Sequence, residues 1–171
     1  MITRGHVLRG DWEALYDEVR TFRDACGPAH MKAILGTGEL ATLTNVARAS
    51  MVAMMAGADF IKTSTGKESV NATMPVSLVM VRQIRDFHEW TGHAVGYKPA
   101  GGIRTAKQAL EYLYLMKEEL GARWMRPDLF RAVAGMSVPY LPPIGGLPPE
   151  VSMNDLNAKL HEVRGQAQSI E

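Results

Sequence analysis

The sequence contains little that would place it in a specialised class of protein. It has one cysteine among 171 residues, so it forms no intrachain disulfide framework or cysteine-based zinc site, and a cytoplasmic location is expected. Its net charge is only +1, from 19 basic and 18 acidic residues, which is too little for the broad basic surface of a nucleic-acid-binding protein. No apolar run reaches about 18 residues, so no membrane partner is expected.

The composition is that of an ordinary globular protein. Apolar residues make up 46% and charged residues 22% of the chain, which disfavours disorder and fibrous repeats. The five histidines show no spacing typical of metal ligands, so no metal is expected.

A strand, a loop and a helix follow one another three times along the chain. The predicted strands are 31–35, 60–62 and 94–98, and the helices that follow them are 43–57, 76–90 and 105–120. A further amphipathic helix begins at Asp11 and ends at Gly27. Repeated units of this length predict parallel strands joined by helical crossovers, that is, an α/β fold.

The last part of the chain departs from this pattern. Five prolines lie between residues 138 and 149, and such dense X-Pro steps disfavour a central strand. Apolar residues then recur at helical spacing from Met153 to Val163. We therefore predict an α/β domain over 1–137 and a proline-rich linker with a C-terminal helix over 138–171.

Two lysines, Lys62 and Lys98, stand where the second and third predicted strands end. Ligands bind at the carboxyl ends of parallel strands, and neighbouring strands would bring these two amines together. A lysine amine is a nucleophile only when unprotonated, and burial or a second cation favours that form. The pair therefore favours a Schiff base with a carbonyl substrate, the alternative being two ordinary exposed or ion-paired lysines.

The loops that follow these lysines have the composition of anion-binding loops. Residues 63–67 read TSTGK, and residues 101–104 read GGIR just before a predicted helix. Hydroxyls, cations and free backbone N–H groups suit a phosphate, so a phosphorylated carbonyl compound would fit both lysines and loops. The alternative is that these glycines and threonines only form turns and helix caps.

A competing motif lies between the first strand and its helix. Residues 36–41, GTGELA, fit the dinucleotide fingerprint G-x-G-x-x-A, which requires an acidic residue at the end of the next strand. Asp59 instead precedes that strand, and Lys62 ends it. A small nucleotide-binding module is therefore kept only as a less favoured alternative.

Two segments, FIKTSTGK over 60–67 and GYKPAGGIR over 96–104, closely resemble the signature segments of the deoxyribose-phosphate aldolase family. The similarity extends from about residue 2 to residue 131. Members of this family are class I aldolases built on a TIM barrel, so the resemblance implies a partial (β/α)8-type barrel. It also implies a cytoplasmic enzyme of deoxyribonucleotide and carbohydrate catabolism.

The implied reaction is the cleavage of 2-deoxy-D-ribose 5-phosphate to D-glyceraldehyde 3-phosphate and acetaldehyde, without metal or organic cofactor. By resemblance, Lys62 is the Schiff-base lysine, and Lys98 is the second lysine, which lowers the pKa of the first and assists proton transfer. The positions that match the family's phosphate site are Gly66, Lys67, Gly101 and Gly102.

Two departures from the family bear on activity. About 250 residues hold eight strand-helix units, so about four units fit the resembling part and no closed barrel is expected. Family members carry a catalytic aspartate on the strand that precedes residue 1, and a phosphate-binding turn where this chain becomes proline-rich. We therefore expect a chain truncated at its N-terminus and altered at its C-terminus. The alternative is a catalytically impaired fragment that acts by association, as a homo-oligomer or with a full-length copy.

Overall fold

The computed structural model describes residues 1–132, which form a parallel sheet covered by helices. The strands are β1 Lys32–Ile34, β2 Phe60–Lys62 and β3 Gly96–Lys98. The helices are α1 Arg4–Arg9, α2 Trp12–Cys26, α3 Leu43–Met55, α4 Met74–Thr91 and α5 Ala106–Leu120. Short 3-10 turns lie at Thr37–Glu39 and Ala122–Trp124.

The sheet has the order β1-β2-β3, and both pairs of strands are parallel. A parallel bridge between Tyr97 and Phe130 places Phe130 beside β3. The Tyr97 N–H donates to the Leu129 carbonyl at 2.8 Å, and the Arg131 N–H donates to the Tyr97 carbonyl at 3.1 Å. The predicted α/β fold with parallel strands and helical crossovers is confirmed.

Side chains alternate between the two faces of the sheet, because successive strand residues point to opposite sides. Ala33, Ile61 and Tyr97 are register partners on one face, and they belong to the hydrophobic core formed with α2 to α5. The buried Tyr97 hydroxyl donates to the Ser77 hydroxyl of α4 at 2.5 Å. The opposite face carries Lys62 and Lys98, and it corresponds to the interior of a barrel.

The helix boundaries follow from local capping. Asp11 accepts the Ala14 N–H at 3.2 Å at the start of α2, as its position before an amphipathic run predicts. Thr105 and Gln108 form the predicted capping box at the start of α5. Helix α1 was not predicted, because it has only six residues and Thr3 makes no side-chain capping bond.

The amino end of the sheet is held by an ion pair that the sequence pattern did not indicate. Nη1 of Arg23 donates to Oδ2 of Asp59 at 2.6 Å, and the same oxygen accepts the Met31 N–H at 2.7 Å. Arg23 also donates to the carbonyls of Gly27 and Ala29. These bonds connect α2, β1 and β2 at the end of the sheet opposite the loops that follow the strands.

The linker and C-terminal helix predicted for 138–171, and the domain boundary before them, lie outside the described residues and stay predictions. Within residues 1–132, no helix is both long and apolar enough to cross a membrane.

Candidate active site

Lys62 and Lys98 are direct register partners at the carboxyl ends of β2 and β3. Paired residues of neighbouring strands have backbones about 4.8 Å apart, and both side chains point to the same face of the sheet. Both are partly buried. The predicted juxtaposition of two amines at one edge of the sheet is therefore present.

The electrostatic environment lowers the pKa of Lys98. Burial is the largest cause, because it disfavours the charged form, and repulsion from the Lys62 ammonium is the next. Weaker repulsion comes from Lys32 and Arg131. The neutral form of Lys98, which accepts a proton, is thus favoured relative to an ordinary exposed lysine.

Lys32 and Arg131 are two cations of this site that sequence reasoning missed. Lys32 lies on the same sheet face as Lys62, because its register partner Phe60 is two residues before Lys62. No ion pair within the described part of the chain involves Lys32, Lys62 or Lys98. The site is therefore strongly positive, and the signal that could have indicated Lys32 is its period-two spacing in a short strand.

Phe60 forms an apolar layer beneath the lysines. Its ring lies 5.6 Å from the Lys32 Nζ and 5.1 Å from the Arg131 Cζ, measured to the ring centroid. Both distances are within the range of cation-π attraction. A Cβ at Gly96, its register partner on β3, would lie 2.3 Å from the ring, so glycine is required for this packing.

The first predicted anion loop is filled by a side chain of the protein itself. The backbone N–H groups of Thr65, Gly66 and Lys67 all donate to the Glu68 carboxylate, at 3.0 to 3.1 Å. The Thr65 hydroxyl donates to the same carboxylate at 2.8 Å. The loop therefore holds an anionic group that the chain itself supplies, and an acidic residue directly after a Gly-Lys step was the signal that could have found it. The binding of a substrate phosphate at this loop stays a prediction.

The two glycines of the second loop have different roles. Gly101 and Gly102 both have positive φ, of 84° and 82°. A Cβ at Gly101 would lie 2.5 Å from the Asn71 side chain, whereas a Cβ at Gly102 would meet no atom within 4 Å. Gly101 is thus a packing position, and Gly102 faces open space beside the start of α5.

The two loops lie against each other. A Cβ at Gly66 would be 3.7 Å from the Gly101 Cα. The predicted phosphate positions Gly66, Lys67, Gly101 and Gly102 are therefore gathered at the same edge of the sheet as the two lysines.

Hydrogen bonds from the two residues directly after β2 to the loop after β3 fix this arrangement. The Thr63 hydroxyl donates to the Ala100 carbonyl at 3.1 Å and accepts the Ala100 N–H at 2.9 Å. The buried Ser64 hydroxyl lies 2.6 Å from the Ala100 carbonyl and 2.9 Å from Oδ1 of Asn71. The Asn71 amide in turn donates to the Glu68 carbonyl at 2.7 Å.

The glycines of the dinucleotide-like motif have structural roles. Gly36 has φ +68° before the 3-10 turn, and a Cβ at Gly38 would lie 2.1 Å from the Val70 carbonyl oxygen. Asp59, the nearest acidic candidate, is bound to Arg23 at the amino end of the sheet. The motif therefore packs two loops together rather than opening a helix toward a ligand.

The described residues include no group of three or more histidine, cysteine or acidic side chains able to hold a metal ion. The site instead consists of two paired amines beside an anion-binding loop. It suits chemistry on a carbonyl compound that carries a negative charge at its other end.

Known proteins are similar to this chain in sequence and in fold. A model of the DeoC/LacD family of aldolases matches residues 5–138. The chain is 67% identical over 131 residues to the deoxyribose-phosphate aldolase of Homo sapiens and 69% identical to that of Mus musculus. These alignments cover 77% of this chain and 41% of each relative, so the chain spans about two fifths of the length of these curated relatives.

A solved structure from Toxoplasma gondii ME49, provisionally named a deoxyribose-phosphate aldolase, superimposes with a TM-score of 0.63 at 26% identity. It covers 84% of this chain, which corresponds to 50% of that structure. The likeness confirms the predicted partial barrel of TIM type. The family model matches most of the residues, and the curated relatives are 67% and 69% identical to the chain over 131 residues. The chain therefore belongs to the DeoC/LacD family of aldolases.

Proposed function

We propose that this chain carries the imine-forming part of a class I aldolase site that acts on 2-deoxy-D-ribose 5-phosphate. The observation that carries the proposal is the register pairing of Lys62 with Lys98 at the carboxyl ends of β2 and β3. The printed name of the relatives, deoxyribose-phosphate aldolase, supports the choice of substrate.

Lys62 is the proposed nucleophile. Its unprotonated amine attacks the C1 aldehyde of the open-chain sugar and loses water to form an iminium ion. Loss of the C3 hydroxyl proton then breaks the C2–C3 bond, and the bonding electrons move into the iminium to give an enamine. Glyceraldehyde 3-phosphate leaves, the enamine is protonated at C2, and water releases acetaldehyde from Lys62.

Lys98 is the proposed proton carrier. Its lowered pKa raises the fraction of neutral amine, so it can accept a proton in one step and return it in another. The positive charges of Lys32 and Arg131 contribute to this state. Full-length relatives would supply further groups for proton transfer. Turnover by this chain is therefore tested separately from imine formation, which needs only the lysines.

The substrate phosphate is proposed to bind at the two glycine loops. Gly66 and Gly101 adjoin, and Gly102 faces open space, so backbone N–H groups and the Lys67 ammonium can surround an anion there. This places the phosphate at one end of the sugar and Lys62 at the other. A small phosphorylated sugar is thus the proposed ligand, with no cofactor required for the steps above.

Trapping of the imine tests this proposal. The 171-residue chain is incubated with acetaldehyde or deoxyribose 5-phosphate, reduced with borohydride, and digested for mass mapping. The expected result is one stable adduct on Lys62 and none on Lys98 or Lys32. A folded protein that gives no adduct, or an adduct spread over many lysines, would contradict it.

Two variants sharpen the assignment. Lys62→Met is expected to abolish the adduct, whereas Lys107→Met, on the exposed surface of α5, should leave its yield unchanged. If Lys62→Met still gave an adduct, now on Lys98, the nucleophile would be Lys98 and the assignment to Lys62 would be wrong.

A second candidate is a function by association. The described sheet has three strands with a single further bridge beyond β3, and closed barrels of this type need about eight strands. Another chain would then cover the cationic face, and the protein would act through its partner rather than by turnover. A stable adduct at Lys62 without any aldol cleavage would favour this candidate.

A further inference from the structure

The loop after β2 contains an anion site that is occupied by its own chain. The backbone N–H groups of three consecutive residues donate to the Glu68 carboxylate at 3.0 to 3.1 Å. The Thr65 N–H donates to both oxygens, and those of Gly66 and Lys67 donate to Oε2. The Thr65 hydroxyl adds a fourth donor at 2.8 Å. Such a concave set of backbone donors, called a nest, binds anions in many proteins.

The charge state of Glu68 agrees with this geometry. Burial acts to raise the pKa of the carboxyl group, but the N–H and hydroxyl of Thr65, with the N–H groups of Glu68 and Lys67, outweigh it and lower the pKa to about 2. The carboxylate is therefore charged at any pH at which the protein is used. Protonation does not empty the nest under these conditions.

The nest lies where the proposed phosphate site is. Gly66 belongs to the nest, and its α-carbon faces Gly101 of the second glycine loop. Residues 65–67 are exposed, whereas Glu68 is only partly exposed. A phosphate that approaches the two loops from solvent therefore meets donors that are already satisfied by a carboxylate.

We propose that Glu68 lowers the affinity of the site for phosphate by occupying the phosphate nest, so that a substrate phosphate must displace its carboxylate to bind. This inference rests on the proposed function, because it concerns the same loop. A phosphate monoester carries a charge of about −1.5 to −2 and three acceptor oxygens, so it can replace a carboxylate of charge −1. Free inorganic phosphate must also displace Glu68, but it gains no bond to Lys62 in return.

The consequence is that every phosphate that enters the nest carries the same displacement cost. A ligand that forms the imine with Lys62 compensates for the displacement, whereas inorganic phosphate does not. Glu68 thus weakens the binding of free phosphate and of the sugar phosphate by the same factor, but only the sugar phosphate recovers this cost, through its imine with Lys62. An unphosphorylated aldehyde leaves Glu68 in place and is unaffected.

Inorganic phosphate is the probe for the first test. The dissociation constant is measured at pH 7 from backbone amide shifts of residues 65–67 in the wild-type chain, Glu68→Gln and Glu68→Ala. We expect about tenfold tighter binding in Glu68→Gln, because a neutral amide competes less well than a carboxylate, and tighter binding still in Glu68→Ala. Glu89→Gln, on the exposed last turn of α4, removes the same charge elsewhere and should bind as the wild type does.

Unchanged or weaker phosphate binding in both Glu68 variants would overturn the proposal, because Glu68 would then organise the loop rather than compete for it. A measurement on the wild-type chain guards against misfolded variants. The side-chain carboxyl carbon of Glu68 should shift during the phosphate titration with the same dissociation constant as the amides of 65–67. Amides that shift while this carbon does not would also overturn it.

Trapping with borohydride separates this inference from the proposed function. Glu68→Gln should give the same yield of the Lys62 adduct with acetaldehyde, which has no phosphate. It should need about tenfold less deoxyribose 5-phosphate than the wild type for half-maximal adduct, in line with the phosphate result. Loss of the adduct in the wild type would contradict the aldolase proposal, whereas the phosphate titration alone decides the role of Glu68.

Discussion

Lys98 differs from an ordinary strand-end lysine because burial and three neighbouring cations lower its pKa. If Lys98 only repelled the Lys62 ammonium, an arginine at this position would serve equally well. If Lys98 carries protons, an arginine could not replace it, because arginine keeps its charge at every accessible pH. Substitution by arginine therefore separates the two roles.

Deuterium exchange into acetaldehyde provides the measurement. Enamine formation on Lys62 requires loss of a proton from the methyl group of the bound acetaldehyde, so in D2O the wild-type chain should incorporate deuterium there. The exchange rate should rise with pH as Lys98 loses its proton, with a midpoint below the value of about 10.4 for an ordinary lysine. Lys98→Arg should slow exchange by about 100-fold and remove this pH dependence.

Lys107→Arg is the matched control and should exchange as the wild type does. A Lys98→Arg variant with an unchanged pH profile would assign proton transfer to another group. Imine trapping at Lys62 in the same variant shows whether the nucleophile still works.

Gly96 tests the apolar layer beneath the lysines. An added methyl group would lie 2.3 Å from the Phe60 ring, so Gly96→Ala should lower the free energy of unfolding in urea by about 1–3 kcal/mol. Phe60→Leu in the same chain should restore part of the loss, because the two side chains are in contact.

Gly5→Ala is the control for this experiment, since its methyl group would meet only the end of the flexible Arg9 side chain, at 3.1 Å. Its effect should stay below about 1 kcal/mol. Equal effects of the two substitutions would show that Gly96 is not constrained by Phe60.

Part of this residue-level picture was predictable from sequence. Lys62 and Lys98 follow two buried strands one unit apart, and parallel topology then places them together. Lys32, Arg131 and Glu68 were not predicted, because their roles depend on which side chains meet across strands and within a folded loop. The same limit applies to Gly96, whose need for a missing Cβ depends on the ring beside it.

At the level of elements, α5 begins directly after the second glycine loop. The Thr105 hydroxyl accepts the Gln108 N–H at 3.2 Å, and the Gln108 side chain accepts the N–H groups of Thr105 and Arg104 at 3.2 and 2.8 Å. The cap therefore fixes the end of the loop as well as the start of the helix.

Thr105→Ala should lower the free energy of unfolding by about 1 kcal/mol, because the first turn of α5 loses a capping acceptor. Thr105→Ser retains the hydroxyl and should stay within a few tenths of a kcal/mol of the wild type. Urea unfolding followed by circular dichroism measures both. A Thr105→Ser loss as large as that of Thr105→Ala would contradict the role of the hydroxyl.

The element pattern was largely predictable because each unit carries its own local signals. Strand 60–62 and the cap of α5 were predicted as observed, and the other predicted strands extend one or two residues beyond their hydrogen-bonded parts. Helix α1 escaped prediction because it is short and depends on packing against α2 and α3. Turn signals likewise did not show that Gly38 approaches Val70, which is a contact between distant loops.

At the level of the whole molecule, the described strands leave the barrel open. An open parallel sheet exposes unpaired backbone groups at its edge strands. Among residues 1–132, the Ile2 N–H covers part of the β1 edge by donating to the Ile34 carbonyl at 3.0 Å. Sedimentation velocity should therefore report a mass above the 18.8 kDa of one chain, rising with protein concentration. A single species of one-chain mass at every concentration would contradict association.

The bonds that join Thr63 and Ser64 to Ala100, and Ser64 to Asn71, have a consequence for substrate size. They keep the two glycine loops from moving apart independently, so the distance between the Lys62 amine and the phosphate position is fixed. We therefore expect the site to bind sugar phosphates whose aldehyde and phosphate are separated by the number of carbons that fits this distance. Sugar phosphates one carbon longer or shorter should not bind.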